Sequence, residues 1–188
     1  MIIDNFLSDK DFKIVQDFVM SPNFPWFYQS NVSLPPGSVI FDPLAVETFG
    51  WNHQVYNVEE GYKAYSLEYF EPILNQMKKE FGNHIEFIRI RLSMKTHKLG
   101  FTKDNYNLPH VDYHFPHKTV IFYINDSDGD TWIFNEKLID KEPIKFSVKE
   151  RITPKANKLL HIDGLQYHTA SNPISNERRV VLNINYHD

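Results

Sequence analysis

The segment His110-Val111-Asp112 places an imidazole and a carboxylate two residues apart. In an extended strand alternate side chains share a face, so the two groups would point the same way. A neutral imidazole and a carboxylate suit a borderline divalent metal, and a second histidine would complete a facial set that leaves the other face of the ion open. The H-x-D motif is weak alone, because such a pair on a surface strand is more often only a hydrogen bond.

The third ligand should come from a later strand that faces the first. His168 is the candidate, and it follows the turn signal Asp163-Gly164. Arg178 and Arg179 stand soon after it, at the start of the last strand-like run. A guanidinium there could hold a carboxylate through two parallel hydrogen bonds. Neighbouring strand residues point to opposite faces, so only one of these arginines can enter a pocket.

Other histidines near these motifs have weaker claims as metal ligands. His161-Ile162-Asp163 is a second H-x-D, which we interpret as a strand end where Asp163 serves the turn. Pro116 interrupts the strand between His114 and His117. A substrate-facing or supporting role is therefore favoured over ligation for both.

The elements that must position these residues are short strands. From residue 85 onward, β-branched and aromatic runs alternate with turn residues, which predicts an antiparallel double sheet or jelly roll. Arg89 and Arg91 share the polar side of the first run, and we interpret that side as a solvated or salt-bridged strand face. The predicted strands cover 85–92, 119–124, 131–134, 145–148, 151–152, 158–162 and 179–186.

Two amphipathic helices are predicted before this region. Ser8 is a candidate N-cap for a helix of about 12 residues that ends before Pro22, and apolar spacing predicts a second helix over 66–81. Residues 24–28 should be extended, and 31–58 should form a long loop with short strands, a candidate lid. We expect one mainly β domain with flanking helices over 1–188, in which 1–84 supports a β core at 85–188.

Composition limits the class of protein. The chain has 188 residues, of which 41% are hydrophobic and 15% aromatic, as expected for a folded domain rather than a disordered chain. It has no signal-peptide pattern, no membrane-length apolar stretch and no cysteine, so a reducing, cytoplasmic setting is favoured. The net charge of −4 argues against a nucleic-acid partner.

The motifs, taken in order, resemble those of the Fe(II)/2-oxoglutarate-dependent dioxygenases. The chain looks most similar to small single-domain members related to prolyl 4-hydroxylase, including phage-encoded ones, and the match is weakest over 31–65. The resemblance implies a double-stranded β-helix (jelly roll), Fe(II) held by two histidines and an aspartate, 2-oxoglutarate and O2 as co-substrates, and ascorbate as an auxiliary reductant. The residues that carry it are His110, Asp112, Tyr123–Asp126, Gly129–Phe134, Asp163-Gly164, His168 and Arg179.

The resemblance also implies roles around the cofactor. Arg179 matches the family's last strand better than Arg178, so it would pair with the C5 carboxylate of 2-oxoglutarate and place Asn183 beside the cofactor. An early-strand tyrosine often adds a hydrogen bond, for which Tyr123 is the candidate and Tyr113 the alternative. Gly129-Asp130 departs from the Gly-Gly common in the family. The intact Asp112 disfavours the halogenating branch, which lacks that carboxylate.

The implied activity is hydroxylation of a C–H bond in a peptide side chain or small molecule, with release of succinate and CO2. The alternative is a non-catalytic, cupin-like metal- or ligand-binding module, which would be free to lose a member of the set His110, Asp112, His168 and Arg179. Demethylation of nucleic-acid bases ranks last, because that branch usually has a longer arginine pattern after the last histidine. We expect a cytoplasmic protein, in the host cytoplasm if phage-encoded.

Overall fold

The computed structural model describes residues 1–30, 42–46, 48–139 and 145–188. Their regular structure is mainly β, with two α-helices and one 3₁₀ helix before the longest strands. None of the helices in these ranges is long and apolar enough to span a bilayer. In chain order the elements are β1 (Ile2–Ile3), α1 (Asp9–Val19), β2 (Phe27–Gln29), β3 (Gly50–Asn57), β4 (Tyr62–Lys63), the 3₁₀ helix (Tyr65–Phe70), α2 (Glu71–Phe81), β5 (Glu86–Thr96), β6 (Lys118–Tyr123), β7 (Thr131–Lys137), β8 (Val148–Ile152), β9 (Leu159–Asp163), β10 (Gln166–Ala170) and β11 (Arg178–His187).

Two antiparallel sheets face each other. The larger has the order β1-β9-β6-β11-β5-β3-β2, with β4 beside β3, and the smaller has the order β10-β7-β8. Most neighbours in space are distant in sequence, as in jelly rolls. Apolar side chains from both sheets, such as Tyr123, Val181 and Ile133, pack into one cluster between them. The predicted mainly β double-stranded β-helix with flanking helices is confirmed.

The two faces of the large sheet differ in chemistry because side chains alternate along each strand. On β5, Ile88, Ile90 and Leu92 are buried on the face that packs against α1 and α2. The opposite face of β5 carries Arg89, Arg91, Ser93 and Lys95. Their register partners on the neighbouring strand β11 are, in the same order, Asn185, Asn183, Val181 and Arg179. This polar face is turned toward the small sheet and lines a pocket.

The first helix begins where its sequence signal predicts. The Ser8 side chain accepts a hydrogen bond from the Asp11 amide at 3.2 Å, the N-cap contact that satisfies a free helix N–H. The second predicted helix is divided at residue 70, where a 3₁₀ turn gives way to α2. Pro72 lies at the start of α2, where its missing N–H costs no intrahelical bond.

The predicted strands omit β4 and β10, although His168 was expected on a strand. Residues 31–58 were assigned to a long loop with short strands, but β3 is an eight-residue strand inside the large sheet between β5 and β2. The apolar pattern of β3 is weak in the sequence because its buried face includes the polar imidazole of His53. His53 is buried through hydrogen bonds to the Pro25 carbonyl and the Ser66 hydroxyl, both at 3.0 Å. Residues 31–41 and 47 of the predicted lid lie outside the described residues.

Candidate metal centre and cofactor pocket

His110 and His168 face each other across a short antiparallel bridge. Each backbone N–H donates to the other's carbonyl at 3.0 Å, and the ring centroids lie 4.9 Å apart. His168 belongs to β10, but His110 forms only this isolated bridge. The expectation that His110 and Asp112 share one extended strand is therefore wrong, because residues 111–117 form no strand and Asp112 approaches from a loop.

Both imidazoles are oriented by backbone carbonyls. His110 Nδ1 donates to the Leu108 carbonyl and His168 Nδ1 to the Gln166 carbonyl, each at 3.0 Å. A carbonyl oxygen only accepts, so Nδ1 carries a proton in both rings and Nε2 is the atom left to face a metal. Burial, with a smaller contribution from His168, lowers the pKa of His110 to about 4. His110 is therefore a neutral imidazole, the form that binds metal, at neutral pH.

Asp112 is surrounded by donors that keep it ionised. Arg89 Nη2 donates to Oδ1 at 2.8 Å, while Asn183 and Asn185 donate to Oδ2 at 3.1 and 2.9 Å. The Thr119 hydroxyl lies 3.4 Å from Oδ2. Burial acts to raise the pKa of Asp112, but Arg89 and the two facing histidines outweigh it and hold the pKa well below its usual range.

These three side chains meet at one point. Their ligand atoms lie within 4.8 Å of one another, and His168 Nε2 is 3.9 Å from Asp112 Oδ2. That separation is too long for a hydrogen bond and short enough for both atoms to reach one ion with a small shift. Two imidazoles and one carboxylate beside an open cavity form the donor set of non-haem Fe(II) oxygenases. The residues present therefore fit a ferrous ion, and His110, Asp112 and His168 are a candidate facial triad.

A pocket of about 600 Å³, open mouth included, lies between the sheets beside this triad. Arg179 lines it, is 3% exposed, and donates to the Thr131 hydroxyl at 2.7 Å. Tyr123 is fully buried and donates to the same hydroxyl at 2.8 Å, so it meets Arg179 through Thr131. Arg178 lies on the other face of β11 and is half-buried. Asn183 also lines the pocket, with its amide directed to Asp112.

Two basic residues of the pocket, Lys95 and Arg91, were missed. Lys95 is 5% exposed and donates to the Thr48 hydroxyl at 2.8 Å and to the Asn107 side-chain oxygen at 3.3 Å. Burial, followed by repulsion from Arg179, lowers its pKa to about 7. The signal was the period-two polar side of β5, which continues from residue 89 to 95. The interpretation of this side of β5 as a salt-bridged face is correct for Arg89, which pairs with Asp112.

The competing histidines lie outside the triad. His161 stacks on Phe81 with centroids 4.7 Å apart, and Asp163 accepts from the Leu165 amide at 3.1 Å, which confirms the turn interpretation of the second H-x-D. His117 is buried, and its Nε2 lies 3.2 Å from the Thr119 hydroxyl that approaches Asp112. His117 thus contacts the site only through Thr119, while His114 is exposed.

Comparisons with known proteins show the fold. No family model matches the chain, and a search of the curated proteins gives no match. Among solved structures, an alpha-ketoglutarate-dependent epimerase, SnoN, from nogalamycin biosynthesis is 10% identical with a TM-score of 0.63, covering 100% of this chain and 78% of that one. A prolyl hydroxylase from Trichoplax adhaerens, complexed with a hypoxia-inducible-factor peptide, is 17% identical with a TM-score of 0.58, covering 100% and 83%.

A 2OG-Fe(II) oxygenase family oxidoreductase from Burkholderia pseudomallei is 13% identical, with a TM-score of 0.54 over 86% of this chain and 73% of that one. At such identities the likeness extends to the fold alone. The chain therefore has the fold of these 2-oxoglutarate oxygenases, with a candidate facial triad at the position where its two sheets face each other.

Proposed function

We propose that this protein is an Fe(II)- and 2-oxoglutarate-dependent oxygenase that hydroxylates a C–H bond of a small molecule or a peptide side chain. The observation that carries the proposal is the triad, whose three ligand atoms converge within 4.8 Å beside a pocket that also holds a buried arginine. Bound Fe(II) would supply O2 activation, coupled to oxidative decarboxylation of 2-oxoglutarate to succinate and CO2.

The chain's own residues account for metal binding. His110 and His168 would ligate through Nε2, because their Nδ1 protons are held by carbonyls. Asp112 would ligate as a carboxylate, kept ionised by Arg89 and oriented by Asn185. These outer contacts fix the three donors before an ion arrives, which reduces the cost of ordering them.

Arg179 is the proposed partner of the C5 carboxylate of 2-oxoglutarate. Its guanidinium is buried, lines the pocket and has an Nε without a partner among the described residues. The Thr131 hydroxyl accepts a hydrogen bond from the guanidinium and is itself oriented by a hydrogen bond from Tyr123. Asn183 lies on the same face of β11, between Arg179 and the triad, so it would flank the cofactor while it orients Asp112.

The finer assignment belongs to the same proposal. The order of the motifs and the fold shared with a prolyl hydroxylase support a small, single-domain member related to prolyl 4-hydroxylase, of the kind that phages encode. Such an enzyme would act in the cytoplasm, with ascorbate as an auxiliary reductant. The absence of cysteine and the net charge of −4 support a reducing setting and a substrate other than nucleic acid.

Anaerobic titration of the protein with Fe(II) and then 2-oxoglutarate tests this function. Wild type should develop a visible charge-transfer band that His110→Ala abolishes. Arg179→Ala should weaken 2-oxoglutarate binding by roughly tenfold or more, since it removes a charge-assisted pair. Arg178→Ala is the matched control and should behave as wild type. A folded wild type without the band would refute the oxygenase and leave a binding module.

A further inference from the structure

Arg91 lines the pocket next to the triad and forms no ion pair among the residues that the structure describes, while the nearby Asp112 is paired with Arg89. Its Nε is buried without a hydrogen-bond partner in the same residues. Burial, followed by repulsion from Arg89, lowers its pKa to about 10, which leaves it charged at neutral pH. Arg91 is partly buried and its buried Nε has no partner among the described residues, which is costly for a cation, so this wall of the pocket is suited to receive an anion.

The strand register locates Arg91 at the metal end of the pocket. Its partner across β11 is Asn183, which donates to Asp112, whereas Lys95 is paired with Arg179. Residues 91 and 95 are four positions apart, about 13 Å along a strand. One small anion cannot span both. Lys95 therefore belongs with Arg179 at the cofactor's C5 end, and Arg91 is left for a separate group.

Charges in the loaded pocket lead to the same conclusion. Fe(II) would bring two positive charges and three arginines one each, and Lys95, whose pKa is about 7, would bring at most one, giving five to six. Asp112 and the two carboxylates of 2-oxoglutarate would bring three negative charges. The remaining excess of two to three positive charges in the pocket is reduced by an anionic substrate and not by a neutral one. The four basic residues are Arg89, Arg91, Lys95 and Arg179.

We propose that Arg91 binds an anionic group of the primary substrate, a carboxylate or a phosphate, and so selects acidic small molecules or side chains. This rests on the proposed function. A guanidinium fork binds either oxyanion through two parallel hydrogen bonds, which fixes orientation as well as position. Arg91 lies next to the triad, so its anion would hold a neighbouring C–H bond close to the metal.

The test uses the anaerobic protein–Fe(II)–2-oxoglutarate complex, titrated with acetate and, separately, with methylphosphonate at ionic strength held constant with chloride. Calorimetry measures the affinity of each probe, and the charge-transfer band reports the complex before and after addition. Acetate represents a carboxylate substrate and methylphosphonate a phosphate one. Wild type should bind at least one probe saturably, with one equivalent per chain.

Arg91→Gln should weaken probe binding by roughly tenfold, while its 2-oxoglutarate affinity stays within about twofold of wild type. Arg91→Lys keeps the charge but not the guanidinium fork, so its probe affinity should lie between those of wild type and Arg91→Gln. It also provides a second variant if Arg91→Gln does not fold. Arg178→Gln, an arginine on the outer face of β11, should bind the probes as wild type does.

Three outcomes overturn the inference. They are no saturable probe binding by wild type, unchanged probe binding in Arg91→Gln, or an equal loss of probe and 2-oxoglutarate binding, which would assign Arg91 to the cofactor. Failure of the proposed function is separate and appears earlier, as a wild-type protein that gives no charge-transfer band before any probe is added.

Discussion

At the scale of single residues, the orientation of the Asp112 carboxylate depends on hydrogen-bond donors that the sequence around residue 112 does not predict. Asn185 is fully buried and donates to Asp112 at 2.9 Å and to the Thr119 hydroxyl at 3.0 Å. Asn185 comes 73 positions later in the sequence. Such outer contacts set the orientation of a metal ligand and its affinity for the ion.

We expect Asn185→Ala to lower Fe(II) affinity by about 10- to 100-fold, because Asp112 loses an orienting donor. Anaerobic calorimetry with Fe(II) measures this. The control is Asn135→Ala, which removes a surface amide that donates to Ser147 on the outside of the small sheet. Equal Fe(II) affinity in the two variants would contradict a role for Asn185 in metal binding.

Lys95 makes the stability of the ligand-free protein depend on pH. Its pKa falls from 10.5 in the unfolded chain to about 7 in the folded one, so between these values the unfolded state binds more protons. Stability from this group therefore rises as pH increases from about 7 to about 10.5. The group costs most below pH 7, where it must be charged while buried.

Lys95→Met should therefore be more stable than wild type near pH 6, and this advantage should shrink as pH rises toward 10.5. Thr48 and Asn107 also bond each other, so they keep a partner. Urea unfolding of both proteins at several pH values measures the difference, with the exposed Lys149→Met as control. A constant difference across the range would show that Lys95 titrates normally.

At the scale of elements, Gly129 in the turn from β6 to β7 leaves space for the side chain of Arg179. A Cβ on Gly129 would lie 2.8 Å from the Ser171 carbonyl oxygen, 3.0 Å from the Pro173 nitrogen and 3.1 Å from Arg179 Cδ. Two of these neighbours are backbone atoms, which cannot move aside without shifting their segments. Glycine at this position lets the turn pack closely on the segment that precedes β11.

Gly129→Ala should destabilise the protein by about 1–3 kcal/mol through overpacking and should also weaken 2-oxoglutarate binding, because Arg179 is displaced. Gly61→Ala is the control. Its Cβ would meet nothing within 4 Å, but φ is +59°, so it should cost about 1 kcal/mol without changing cofactor affinity. Thermal unfolding and calorimetry with 2-oxoglutarate separate the effects. Normal cofactor binding by Gly129→Ala would contradict the positioning role.

At the scale of the whole molecule, we propose that residues 1–188 unfold as one domain. Strands β1, β2 and β3 from the first 84 residues belong to the large sheet, so this part contributes to the sheet as well as supporting it. Asn157 joins the two parts. Its side chain accepts from the Leu7 amide and donates to the Leu7 carbonyl, both at 2.9 Å, and its own φ is +63°.

Asn157→Ala should lower the free energy of unfolding by about 2–4 kcal/mol, because two buried hydrogen bonds and a residue tolerant of positive φ are lost together. Asn157→Gly, which keeps the backbone tolerance, should lose less. Tryptophan fluorescence and far-ultraviolet circular dichroism should give one coincident transition in all three proteins. Two separate transitions would show that residues 1–84 form an independent unit.

The sequence by itself determined the features that arise from local periodicity and motif order. Residue patterns predicted β5 and β11, and Ser8 predicted the start of α1, because each depends on neighbours along the chain. The metal site was predicted from H-x-D and from the order in which His168 and Arg179 follow it, which resembles a known family. The triad side chains do converge in the structure. They do so through a bridge and a loop, and not through the strand alternation from which the site was predicted.

Only the tertiary structure decided which polar face was interior. The side of β5 that carries Arg91 and Lys95 looks like a solvated face in the sequence, because a period of two shows that two faces differ but not which one another sheet will cover. The register of β5 against β11 brings Lys95 beside Arg179, 84 positions later. Such pairings depend on how distant strands close into one sheet, which no local pattern encodes.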